Sequence, residues 1–184
     1  YPTVGTIILL TFTYMTLFPW VFRLVVLGIV YFFTVFLPVL ITYLYRRLHG
    51  WGQQDLRERH KRFIPYAIHF ICYLCCMYLL DNMHLPRFLT AILFVSLLVQ
   101  TCCIVINMFW KVSMHSAGSG AVIGALVAYS GIFGFNPVWW LCVAILLSGC
   151  VMSSRMVLLQ HSLPQVLVGT MVGVICGFFG ILFV

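Results

Sequence analysis

Long apolar segments parted by short polar connections constrain this chain more than any other feature. Residues 21–45, 64–80, 88–110, 116–132 and 164–184 are each close to the length that crosses a bilayer, and 139–152, though shorter, is read as one more crossing between two turns. About 20 apolar residues are needed for one helical crossing. A further apolar run, Val4 to Phe18, is short for a span unless residues before Tyr1 extend it. Of the 184 residues, 64% are hydrophobic and only 7% charged, against roughly 25% charged in soluble globular chains. Backbone polar groups inside hydrocarbon must be satisfied within a segment, which helices do and isolated strands do not. The expectation is therefore one domain, residues 1–184, folded as an all-α polytopic transmembrane helix bundle of six to seven spans.

Charge collects in the connections. The ten Lys and Arg outnumber three Asp and Glu, but they sit beside apolar helices, so membrane lipids and an anionic substrate are the expected partners and nucleic acid is not. Eight cysteines all lie in apolar runs, where they read as small buried hydrophobes rather than disulfide or metal ligands. No metal and no cofactor is expected. Nothing basic precedes the first apolar run, so a secretory leader is not expected.

Along the chain, Pro38 predicts a kink in the 21–45 span, and Arg46 with Arg47 marks an interface. The long hydrophilic connection from Leu48 to Phe63 follows, with Asp55, Arg57, Glu58, Arg59, Lys61 and Arg62 placed for a short surface helix. Pro65 suits the first turn of the next span. Residues 81–87 form a turn on the far side, and 134–137 form another. Ser116, Gly120 and Gly124, and again Gly169, Gly173 and Gly177, recur every fourth residue, a small-residue stripe for close helix packing.

Three polar knots remain: the 55–65 connection, Lys111 to Gly118, and Ser153 to Gln165. Counting crossings puts all three on one face of the membrane. Together they offer Arg57, Arg59, Lys61, Arg62, Lys111 and Arg155 as cations, Ser113 as a hydroxyl, and His115 and His161 as groups titrating near neutrality. Cations and hydroxyls almost without carboxylates suit a phosphoryl group better than magnesium or calcium. Two histidines permit one to attack phosphorus while the other protonates the departing oxygen.

At these residues the chain resembles the type 2 phosphatidic acid phosphatase superfamily (PAP2). Ser154-Arg155, five residues, then His161 resembles its third signature, Ser-Arg, five residues, His, three residues, Asp. Ser113-Met114-His115 resembles the second, Pro-Ser-Gly-His, and Arg59 to Pro65 loosely resembles the first, Lys, six residues, Arg-Pro. The chain departs at Val112 and Met114, in place of Pro and Gly, and at Asp55, seven residues before Arg62, in place of Lys. Gln165 replaces the last Asp, as it does in the similar glucose-6-phosphatase and dolichyl-diphosphatase members. The resemblance covers residues 47–184. It implies a PAP2-like helical core and a metal-independent membrane phosphatase that removes phosphate from a lipid phosphate or diphosphate. It also implies His161 as the nucleophile forming a phosphohistidine, His115 as acid and then base, and Gln165 as the partner orienting His161. Arg155, Ser113 and the Met114 amide would hold phosphate, joined by Arg62, Arg59 or Lys61. Substrates implied are phospholipid, prenyl-phosphate or lipid A type molecules.

Eight of the ten Lys and Arg fall on the site's face, with Arg23 and Arg87 opposite, and the positive-inside rule puts such a face in the cytoplasm. The resemblance implies the outer face, so the expectation taken is a bacterial inner (plasma) membrane with a periplasmic site. A silent lipid-phosphate binder and a lipid phosphotransferase are the nearest alternatives. A b-type cytochrome is the remote one, since haem needs paired histidines in two spans and only His69 is clearly inside one.

Overall fold

The computed structural model describes residues 19–48, 59–83 and 87–183, with side chains described from Pro65 in the second of these stretches and from Thr90 in the third. The short first apolar run and most of the long hydrophilic connection, Asp55, Arg57 and Glu58 included, lie outside them. All regular structure among the described residues is helical. The helices are α1 (Trp20–Leu48), α2 (Arg59–Asn82), α3 (Arg87–Phe109), α4 (Met114–Phe133), α5 (Val138–Val157) and α6 (Leu163–Leu182). Five of them, α1 and α3 to α6, are long and apolar enough to cross a membrane.

The chain divides into two compact units, one of residues 2–93 and one running from Phe94 to Val184. In the first, α1 is continuous but widens into a π-helical segment at Phe32–Phe36. Its cause is Pro38, which has no N–H for the carbonyl four residues earlier. Thr34, buried there, donates its hydroxyl to the Val30 carbonyl at 2.6 Å. The second half of α1 packs on α2. Pro65 does not open α2 as expected but lies inside it, because the helix begins at Arg59, within the hydrophilic connection. Charged residues continue a helix readily once it has left the hydrocarbon.

The second unit is built on α4 and α6. Two series of contacts, Ala117 with Gly173 then Ala121 with Gly177, and Gly120 with Thr170 then Gly124 with Val174, each advance together along both helices, so the two run parallel with their N-termini at one end. A Cβ added at Gly120 would collide with the Thr170 carbonyl, and one at Gly173 with the Ala117 carbonyl. The small-residue stripes therefore do what the sequence predicted: they let backbones touch where lipid supplies no hydrophobic drive for association. Antiparallel α5 packs on α4, joined by buried Ser119 and Ser148, whose hydroxyl oxygens are 3.0 Å apart. Ser119 already donates to the Ser116 carbonyl at 2.9 Å, so Ser148 is the donor of the pair.

The cysteines are more divided than expected. Cys72, Cys76, Cys103 and Cys176 are buried, whereas Cys75, Cys142 and Cys150 are exposed. A thiol is small and apolar enough for a lipid-facing position as well as a core one.

Candidate phosphate site

Both connections of the second unit that carry polar knots converge at the shared N-terminal end of α4 and α6. Ser113 caps α4: its backbone is extended and its hydroxyl oxygen accepts the Ser116 N–H at 3.3 Å. Its own N–H donates to the Gln165 carbonyl in the first turn of α6 at 3.4 Å. Gly169, one turn on, has the Ser113 carbonyl so close that an added Cβ would lie 2.7 Å from it. Close packing therefore pins the two helix starts together, and the positive ends of both dipoles point the same way, as an anion requires.

Met114 is the first residue of α4 and takes ordinary negative φ. Among the described residues only Leu159 and Gly134 have positive φ. The place where the resembled signature carries glycine makes no demand for glycine's freedom here, and the Met114 N–H remains among the first-turn donors with no intrahelical acceptor. His115 follows, exposed in the first turn.

The other wall is the α5–α6 connection. The helix α5 runs five residues past the expected end at Met152, so Ser153, Ser154 and Arg155 belong to its last turns. It closes by a Schellman pair, with Leu159 N–H on the Met156 carbonyl at 2.9 Å and Gln160 N–H on the Arg155 carbonyl at 3.2 Å. The residue that must turn left-handed in this motif is Leu159, with φ 52°, where glycine is usual.

That turn delivers Gln160 and His161. Gln165 Oε1 lies 3.2 Å from His161 Nδ1 and accepts the Ser162 N–H at 3.2 Å. A backbone N–H can only donate, so this atom of Gln165 is the carbonyl oxygen, and Nδ1 of neutral His161 must carry the proton. The lone pair is then on Nε2. Lys111 Nζ donates to the Gln160 carbonyl at 2.7 Å, and Arg155 Nη1 to the Gln160 Oε1 at 2.8 Å.

His161, His115, Gln165, Arg155, Ser113 and Met114 are thus gathered in one unit. Arg59, Lys61 and Arg62 lie in the first turn of α2, in the other unit. Their side chains are outside the described residues. Gln160 is the residue that reading the sequence missed. Its only signal was its place between Arg155 and His161.

The second unit is a helical membrane-spanning scaffold with a cationic, two-histidine end. Compared with family models, curated proteins and solved structures, the chain matches none.

Proposed function

We propose that this is a metal-independent membrane phosphatase acting on a lipid phosphate or diphosphate through a phosphohistidine at His161. The observation that carries the reading is the Gln165 contact: it puts the proton on His161 Nδ1 and the lone pair on Nε2, beside two cations and two helix N-termini. In the first step Nε2 bonds to phosphorus as the bond to the lipid oxygen breaks, and protonated His115 gives that oxygen its proton. In the second, His115 takes a proton from water, whose oxygen displaces Nε2 and releases inorganic phosphate. Arg155, Lys111, Ser113 and the Met114 amide would stabilise the charge that builds on the equatorial oxygens.

This reading extends to a PAP2-like core with six to seven spans. It also takes Arg59, Lys61 or Arg62 as a further phosphate ligand, a bacterial inner membrane, and a site on the periplasmic side. Phosphatidic acid, phosphatidylglycerol phosphate, prenyl diphosphates and lipid A are the substrates to test. A lipid phosphotransferase would use the same first step with an alcohol in place of water. Gln165 favours one other reading, a silent binder, because a neutral amide stabilises the imidazolium less than a carboxylate does. Phosphate release without added metal, comparing wild type with His161→Ala, tests the proposal. It predicts release by the wild type alone, and inactivity of both proteins on all four substrates would reject it.

A further inference from the structure

We infer that Gln160 is a positioning residue whose two oxygens gather Arg155 and Lys111 beside His161, leaving one edge of the Arg155 guanidinium for two oxygens of a phosphoryl group. The inference rests on the phosphate-site reading and deepens it. The two cations come from different connections, Lys111 before α4 and Arg155 at the end of α5. Neither has a carboxylate to hold it in the geometry described. Each instead donates to Gln160, the ammonium to its backbone carbonyl at 2.7 Å and Nη1 to its side-chain oxygen at 2.8 Å.

The choice of donor decides what Arg155 can still do. With Nη1 engaged, the other edge, Nε–H with Nη2, keeps the parallel fork that matches two oxygens of a phosphate. Nε is buried with no hydrogen-bond partner, so an oxygen that takes it must displace what now covers it. A buried guanidinium donor left unpaired is costly, and a phosphoryl oxygen would satisfy it.

Gln160 itself is placed by the left-handed turn at Leu159, φ 52°, with its N–H fixed on the Arg155 carbonyl at 3.2 Å. Arg155 therefore meets Gln160 twice, through its carbonyl and through its guanidinium. A purely structural role would need only the first contact, which any residue but proline could make at position 160.

The test is a double-mutant cycle on the full chain in detergent, with Gln160→Ala, Arg155→Lys and the pair. Inorganic phosphate binding is measured by titration calorimetry, and turnover is followed on phosphatidic acid. Gln160→Ala is expected to weaken phosphate binding about tenfold, or ~1.4 kcal/mol, and to raise KM with kcat changing less than about threefold. In the Arg155→Lys background the same change should have less than about a twofold effect, because lysine offers no fork to aim. An equal effect in both backgrounds, or none in either, overturns the inference, since Gln160 would then act through the loop alone or not at all. Gln160→Glu keeps the shape and covers the case in which Gln160→Ala does not fold. Its carboxylate would compete with phosphate for the Arg155 guanidinium, so weaker binding supports the inference and wild-type binding overturns it. If wild type itself binds no phosphate, the phosphate-site reading falls and takes this inference with it, an outcome distinct from normal binding that ignores Gln160.

Discussion

Gln165 offers the sharpest perturbation because its side-chain oxygen serves two donors, His161 Nδ1 and the Ser162 N–H, each at 3.2 Å. Gln165→Leu keeps the bulk and removes the acceptor. One lost effect is structural, the half of a capping arrangement at the start of α6, costing about 1 kcal/mol. The other is chemical, since His161 loses the contact that keeps the proton on Nδ1, and a net hydrogen bond of this kind contributes about 1 kcal/mol. Misplaced tautomers and a freer ring together should lower kcat about 10- to 100-fold, or ~1.4 to 2.7 kcal/mol of barrier. Gln165→Glu should behave in the opposite sense. It preserves both acceptor positions and adds a charge that stabilises the imidazolium formed during attack, so kcat should be held or raised. The assay is metal-free phosphate release from phosphatidic acid in detergent micelles, with thermal unfolding in parallel to separate the capping effect. The reasoning is refuted if Gln165→Leu turns over like wild type, or if the leucine and glutamate variants lose activity equally while remaining folded.

Other consequences follow from particular contacts. Ser113→Ala removes the α4 cap and should cost about 1 kcal/mol, seen as a melting temperature lower by about 2–4 °C, together with weaker phosphate binding. Gly120→Val drives side-chain atoms into the Thr170 carbonyl and should cost at least the 1–3 kcal/mol typical of overpacking, measured as loss of the folded peak in gel filtration. Leu159→Gly relieves a left-handed leucine and should stabilise by about 1 kcal/mol, raising the melting temperature, whereas Leu159→Val should lower it.

What the sequence made legible is what repeats. The four-residue recurrence of small residues marked α4 and α6 each for close packing, and the structure pairs the two stripes with one another. Ser113, His115, Arg155 and His161 were legible because polar groups between apolar spans are few. Helix ends were not legible. Ser153 to Arg155 looked like the start of a connection, but a helix leaving hydrocarbon can continue on polar residues until a backbone turn stops it. Pro65 misled in the same way, because a proline usual in a first turn was met well inside α2. The turn at Leu159 was hidden because leucine is a poor residue for a left-handed position, and nothing local predicts it. Gln160 was hidden because an uncharged side chain in a loop acquires its role only when two distant cations close on it.

The central claim is that His161 Nε2 attacks phosphorus, and the most direct measurement is covalent. Protein incubated with phosphatidic acid carrying a radiolabelled phosphate group, then quenched with alkali, should retain label as an acid-labile, base-stable phosphoramidate on the peptide containing His161. His161→Ala should retain none, and His115→Ala, if it can still be phosphorylated, should accumulate label because release requires a base for water. Turnover without label on His161, or the same label in His161→Ala, would contradict the account.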